Sequence, residues 1–137
     1  MTKAERETFD HFAERYRVAP AEVSRRVELA VIGGDWGANG YTTTAQAGLL
    51  ARELGLRPGV RLLDLGAGRG WPGLYLAVAT GCRAVLADVP AEGLRAVAAR
   101  ARHEKLADRA APVAASARSL PFAPAAFDAI VHTDVLC

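Results

Sequence analysis

The sequence predicts an α/β fold, a doubly wound parallel sheet preceded by a helical segment, and three observations carry that prediction. Before Gly59 the apolar residues recur at helical spacing; after it, short apolar runs alternate with helical stretches; and a turn with every second residue glycine joins the first run to the first of those helices. Strands that alternate with helices build parallel sheets, whose ligand sites lie at the carboxyl ends of the strands.

The helical segment comes first. Phe9, Phe12, Ala13 and Tyr16 fall at i, i+3, i+4 and i+7, marking one face of a first helix, and this stripe assigns Tyr16 to a core. Val23, Val27, Ala30 and Val31 repeat the pattern until Gly33-Gly34. Asp35 to Thr42 is a loop containing glycine and asparagine. Thr43 and Gln46 then have capping-box spacing, and Ala47, Leu50, Ala51 and Leu54 form a stripe closed by Gly55. The organisation expected is a helical cap over residues 1–56 and a cofactor-binding domain over 57–137.

The domain opens with the Arg57-Pro58-Gly59 turn and a buried strand over 60–65. A helix over 72–80 accepts Pro72 only in its first turn. Strand 83–88, helix 91–106, strand 111–115 and strand 127–132 follow. Asp128 reads as fixing the start of the fourth strand. The chain stops just beyond that strand, which leaves a sheet truncated there, with an apolar edge open to self-association or a partner chain.

The loop between the first strand and its helix carries the chemistry. Gly66, Gly68 and Gly70 strip alternate side chains from it, so that a ligand can lie against backbone N–H groups at a helix N-terminus, which favours an anion. Gly68-Arg69-Gly70-Trp71-Pro72-Gly73 fits the G-x-G-x-x-G frame of dinucleotide sites, but begins two residues late. Shifting that frame to Gly66 puts Trp71 where its third glycine belongs. The acidic-x-Gly-x-Gly-x-Gly frame from Asp64 to Gly70 has neither fault. Asp88, at the end of the next strand, stands where a carboxylate accepts from both hydroxyls of a ribose, which either cofactor type requires.

With Leu63-Asp64-Leu65-Gly66-Ala67-Gly68-Arg69-Gly70 as its first motif, the chain resembles the class I S-adenosylmethionine-dependent methyltransferases, which have a Rossmann-like fold. Cys82 to Val89 with Asp88, Ser116-Ala117-Arg118-Ser119-Leu120-Pro121-Phe122 and Phe127-Asp128-Ala129-Ile130-Val131 are similar to that family's later segments, in order, over Gly59 to Leu136. The resemblance implies strand order 3-2-1-4 and S-adenosylmethionine as cofactor. It implies that the loop N–H groups meet the cofactor carboxylate, that Asp64 offsets its cationic end, and that Val89 lines the adenine. Ser116 and Ala117 would meet the adenine amino edge, although many members carry an aspartate where this chain has Ser116. His132 and Asp134, just past the fourth strand, are candidates for contacting cofactor or substrate, and no catalytic residue is assigned beyond them. In this family the N-terminal helices commonly cover the site, so Tyr16, Trp36 and Tyr41 are candidates for a lid over the methyl donor; the apolar stripe favours a core place for Tyr16, while Trp36 and Tyr41 either face a substrate pocket or pack away from it.

The expected activity is methyl transfer to a small-molecule acceptor. The alternatives are an NAD(P)-dependent oxidoreductase and a non-catalytic or truncated cofactor-binding half-domain. Composition fits a cytoplasmic protein: 51% hydrophobic, 23% charged and net +2. The arginines read as spread along helices, so no nucleic-acid partner is expected, and neither is a membrane span or a secretory leader. Cys82 and Cys137 show no metal-ligand spacing and read as free thiols; His11 and His103 read as surface groups.

Overall fold

The computed structural model describes residues 1–135; Leu136 and Cys137, and with them the expected Cys137 thiol, lie outside the described residues. The elements are α1 (Lys3–Arg17), α2 (Glu22–Val31), α3 (Thr44–Glu53), β1 (Arg61–Leu65), α4 (Gly73–Thr80), β2 (Arg83–Asp88), α5 (Ala91–His103), β3 (Ala110–Ala114) and β4 (Ala129–Val131). All strand pairs are parallel, and the order is β3-β2-β1-β4.

Register aligns Leu62, Ala84, Ala110 and Ala129 in one row across the four strands, and each is buried. Above that row α4 packs on β1 and β2, and α5 on β2 and β3. Two successive right-handed crossovers in the same direction require both helices on one face. Leu62, Leu74, Leu76 and Leu86 are wholly buried there, and each contributes roughly 2 kcal/mol of apolar burial. Helices were expected on both faces. The return from β3 to β4 runs through residues 115–128 without a helix, and the second face leaves Ile130 on edge strand β4 56% exposed.

Several local signals act as the sequence predicts. Thr43 and Gln46 close a reciprocal capping box on α3, and Gly55 ends that helix in the left-handed region, with Leu56 N–H returning to Ala51 C=O. Helix α5 stops at His103 rather than running to 106, because Lys105 takes the left-handed position (φ 57°) and Leu106 N–H bonds Ala101 C=O. Strand β4 is shorter than expected: Asp128 is held outside it, accepting from the Arg61 backbone N–H and guanidinium. Cys82 is a buried free thiol whose pKa burial raises.

Helix α2 reverses its expected orientation. Val23, Val27 and Val31 are exposed, whereas Glu28 is buried and accepts the N–H groups of Trp36 (2.6 Å) and Ala38 (3.1 Å). Buried loop donors need an acceptor, and a carboxylate with two N–H partners is a strong one. Ile32 supplies the apolar anchor that the valines do not.

Candidate active site

At the carboxyl ends of β1 and β2 a cavity of about 960 Å³ opens between the glycine loop, the inner face of α1 and the segment after β4. Asp64 does not reach it. The side chain points beneath the loop, 1% exposed, and accepts the Gly73 N–H (2.8 Å) at the start of α4. Burial, chiefly, raises its pKa to about 7, the Gly73 bond opposing and the nearby Asp88 charge adding to the rise. Its work is to tie β1 to α4, in place of the direct role against a cationic ligand that was expected.

The loop likewise offers space rather than donors. Gly66 and Ala67 N–H bond Ala87 C=O, Gly68 N–H bonds Asp88, and Gly70 N–H bonds Ala67 C=O, so these four groups are spent within the protein. Tight turns satisfy their own backbone first, which leaves those amides unavailable to the carboxylate expected on them. Gly68 has φ +53°, and a Cβ there would sit 2.9 Å from the Tyr16 hydroxyl. Gly66, Ala67 and Gly68 line the cavity; Gly70 instead packs where any side chain would strike Leu74 and Val97.

Asp88 stands at the end of β2 and lines the cavity, with Oδ2 accepting from Gly68 N–H (2.6 Å) and Oδ1 from Val89 N–H (2.7 Å). Burial raises its pKa, and these two bonds oppose the shift. Val89, half exposed, and Ser116 line the same wall; the Ser116 hydroxyl accepts Arg118 N–H, and Ala117 lies off the lining. Of the two candidates past β4, the structure brings only Asp134 to the cavity, while His132 is exposed outside it. Strand alternation explains the split, since buried Val131 turns the next side chain outward. Desolvation pushes the Asp134 carboxyl up, but bonds from the Tyr41 backbone and from the Thr42 hydroxyl and N–H outweigh it and lower the pKa.

The cap contributes residues that sequence reasoning placed elsewhere. Phe9, Phe12 and Tyr16 face the cavity rather than a protein core. Tyr16 is half-buried against the loop, and burial raises its hydroxyl pKa. Arg69, the one long side chain in a loop otherwise stripped of them, donates to the Arg15 and Val18 carbonyls and closes the last turn of α1. That isolated cation was the sequence signal available for it. Asn39 Oδ1 accepts from Arg15 Nε (2.9 Å), and the Asn39 side chain at the cavity also hydrogen-bonds the Tyr16 hydroxyl, which opposes the rise in that hydroxyl's pKa. Trp36 and Tyr41 do not line the cavity. Trp36 packs with Trp71 and Tyr75 under the Arg100 guanidinium, and Tyr41 is 85% exposed.

A parallel sheet with a glycine turn after β1, an acidic residue ending β2 and a mostly apolar cavity at the strand ends defines a Rossmann-like cofactor-binding domain. The family model described as "methyltransferase domain" matches residues 62–137. The chain belongs to that family, the class I S-adenosylmethionine-dependent methyltransferases, which selects the Asp64–Gly70 frame over the dinucleotide one.

Among solved structures, the chain is similar to the [4+2]-cyclase SpnF, at 34% identity over 63% of this chain and 32% of that one, with a TM-score of 0.59. A putative sarcosine dimethylglycine methyltransferase from Galdieria sulphuraria shares the fold at 22% identity and TM-score 0.61, over 66% of this chain and 35% of that one. So does an S-adenosylmethionine-dependent methyltransferase from Thiobacillus denitrificans in complex with S-adenosyl-L-homocysteine, at 20% identity and TM-score 0.52, over 72% and 38%. The chain thus spans about a third of the length of these proteins. No curated protein matches it by sequence. No helix among the described residues is long and apolar enough to cross a membrane.

Proposed function

We propose that this chain binds S-adenosylmethionine in the cavity under α1 and serves methyl transfer to a small-molecule acceptor, with residues 1–56 as cap and 57–137 as cofactor domain. The observation that carries the reading is Asp88, a carboxylate fixed by two N–H groups at the end of β2 with its face to the cavity. It is placed to accept from two ribose hydroxyls. Val89 gives an apolar surface for the adenine, and the Ser116 hydroxyl a polar one at the same wall. Because four of the loop amides are spent within the protein, the carboxylate of the ligand falls to the cap, where the Asn39 amide and the cationic Arg15 stand side by side at the cavity. The cavity therefore fits the ligand in size, in polarity and in the donor set of the cap.

Bound S-adenosylmethionine supplies an electrophilic methyl on a sulfonium. The chain's share is to hold and orient that ligand, and to exclude water with Phe9, Phe12 and Tyr16. In-line positioning can supply most of the rate, so no base is required. Asp134, whose carboxyl pKa the bonds from the Tyr41 backbone and Thr42 lower, lines the cavity and would help to orient an acceptor. The open β4 edge is a pairing surface in the same reading.

Calorimetric titration with S-adenosylhomocysteine tests the assignment. The wild type is expected to bind, and Asp88→Asn to bind about 10- to 100-fold more weakly, since two charged bonds become neutral ones. Equal affinity in both would remove Asp88 from the site. A second reading has its own support: SpnF, 34% identical, is named for a cyclisation, so this fold can host chemistry other than methyl transfer. Retention of S-adenosylhomocysteine affinity with no methyl transfer across a panel of small acceptors would favour it.

A further inference from the structure

At the opposite end of the sheet the fold assembles a row of charge that the linear sequence disperses. Arg61 and Arg83 are register partners in β1 and β2. Arg109 precedes β3 at the next place in the same row, its C=O accepting from Ala84 N–H (2.8 Å), and Asp128 completes the row beside β1, its N–H donating to Arg61 C=O (2.9 Å). Neighbours in register share a face of the sheet, so one aspartate and three arginines stem side by side from adjacent strands, with Arg109 Nη1 lying toward Gly81. Asp128 is consumed by Arg61, which grips it through Nε (3.0 Å) and Nη2 (2.9 Å). Among the described residues neither Arg83 nor Arg109 makes an ion pair.

Beneath the row is a second cavity of about 290 Å³, lined by all three arginines and Asp108, with Val85 and Phe127 in its apolar wall. Like charges at adjacent strand positions repel, and solvation alone gives no reason to align three of them over an apolar hollow. A planar guanidinium offers paired donors that match an oxyanion, and two unpaired ones carried on neighbouring strands and lining one cavity can grip the same phosphate-bearing molecule.

We propose that this cavity is an anion site for a phosphate-bearing molecule, held by Arg83 and Arg109 with its organic part against Val85 and Phe127. It lies at the amino ends of the strands, so it is separate from the cavity under α1. The phosphate can belong to a free ester or to a nucleic-acid strand, and the test distinguishes them.

The probe is inorganic pyrophosphate, titrated against thermal unfolding with sodium chloride at matched ionic strength as the reference. At 10 mM the wild type is expected to gain about 2 °C or more over chloride, as ligand binding to the folded state requires. Arg83→Gln/Arg109→Gln should lose that gain, with at least tenfold weaker apparent affinity, while binding S-adenosylhomocysteine like the wild type. Arg83→Lys, which keeps the charge but loses the fork, should weaken pyrophosphate about threefold. Without any anion, the double variant should melt no lower than the wild type, because like-charge repulsion is relieved. A single-stranded oligonucleotide that displaces pyrophosphate at micromolar concentration would assign the phosphate to nucleic acid; failure to displace assigns a free ester. No gain in the wild type, or an equal gain in the double variant, overturns the proposal.

Discussion

Replacing Asp64 by asparagine removes one ionisable group from beneath the glycine loop and leaves its shape intact. The asparagine carbonyl can still accept the Gly73 N–H that Asp64 accepts at 2.8 Å. The folded-state pKa of Asp64 is about 7, against 3.8 for an ordinary aspartate, so between those values the folded chain holds a proton that the unfolded chain has released. Folding is therefore favoured at the acid end, and the wild type loses stability as pH rises from about 4 to 7, levelling off above that. Roughly three units at ~1.4 kcal/mol each give a loss of at most ~4 kcal/mol, a large share of the 5–15 kcal/mol typical of a domain. Asparagine carries no such penalty, so the variant's advantage should grow with pH by up to ~1.4 kcal/mol per unit across that window. Asp88, also shifted upward by burial, titrates in both proteins and largely cancels in the difference. Urea denaturation of both proteins at pH 5, 6, 7 and 8, with equal slopes verified, reads the difference directly. Parallel stability profiles, or an advantage that widens toward acid, would refute the reasoning.

Three further outcomes are expected. Gly68→Ala should cost about 2 kcal/mol, from the left-handed backbone and the approach to the Tyr16 hydroxyl, and Tyr16→Phe in the same chain should recover the contact share but not the backbone share; urea midpoints separate the two. Arg69→Ala should lower amide-exchange protection in the last turn of α1 about tenfold, and lysine should restore only part of it, because its flexible ammonium is less firmly oriented than the planar group whose Nη2 donates to both carbonyls. Glu28→Ala should destabilise by about 3 kcal/mol by stranding the Trp36 and Ala38 N–H groups, whereas glutamine, keeping an acceptor, should cost less than half as much by the same assay.

What the sequence made legible were features whose cause is local. The Thr43–Gln46 box, the Gly55 stop and the run Arg83–Asp88 each depend on neighbours within a few positions, and each stands where expected. The strand order followed from the resemblance. Features decided by distant partners were not legible. Helix α2 turned on Glu28, whose partners lie 8 and 10 residues on, against the pull of three valines. Helix α5 ended without a glycine because Lys105 accepted the left-handed position. Tyr16 completes an apolar stripe on paper, yet that stripe covers a cavity and not a core. Asp64 was read as a ligand group because motif position carries no information on which side of the loop a side chain emerges. The arginines looked dispersed because Arg61 and Arg83 open β1 and β2 and Arg109 precedes β3, with a helix between each pair.

Strand β1 is paired along its length to β2 on one side and over Leu62, Leu63 and Asp64 to β4 on the other. Its five residues, about 16 Å end to end, connect the arginine row to the glycine turn. A strand clamped on both flanks cannot slide without breaking two ladders together, so it acts as a fixed spacer and not as a transmission rod. Events at one end of the sheet are thereby insulated from the other: stabilisation by a ligand at each end should sum, and this part of the fold can change what it grips at one rim without renegotiating the opposite one.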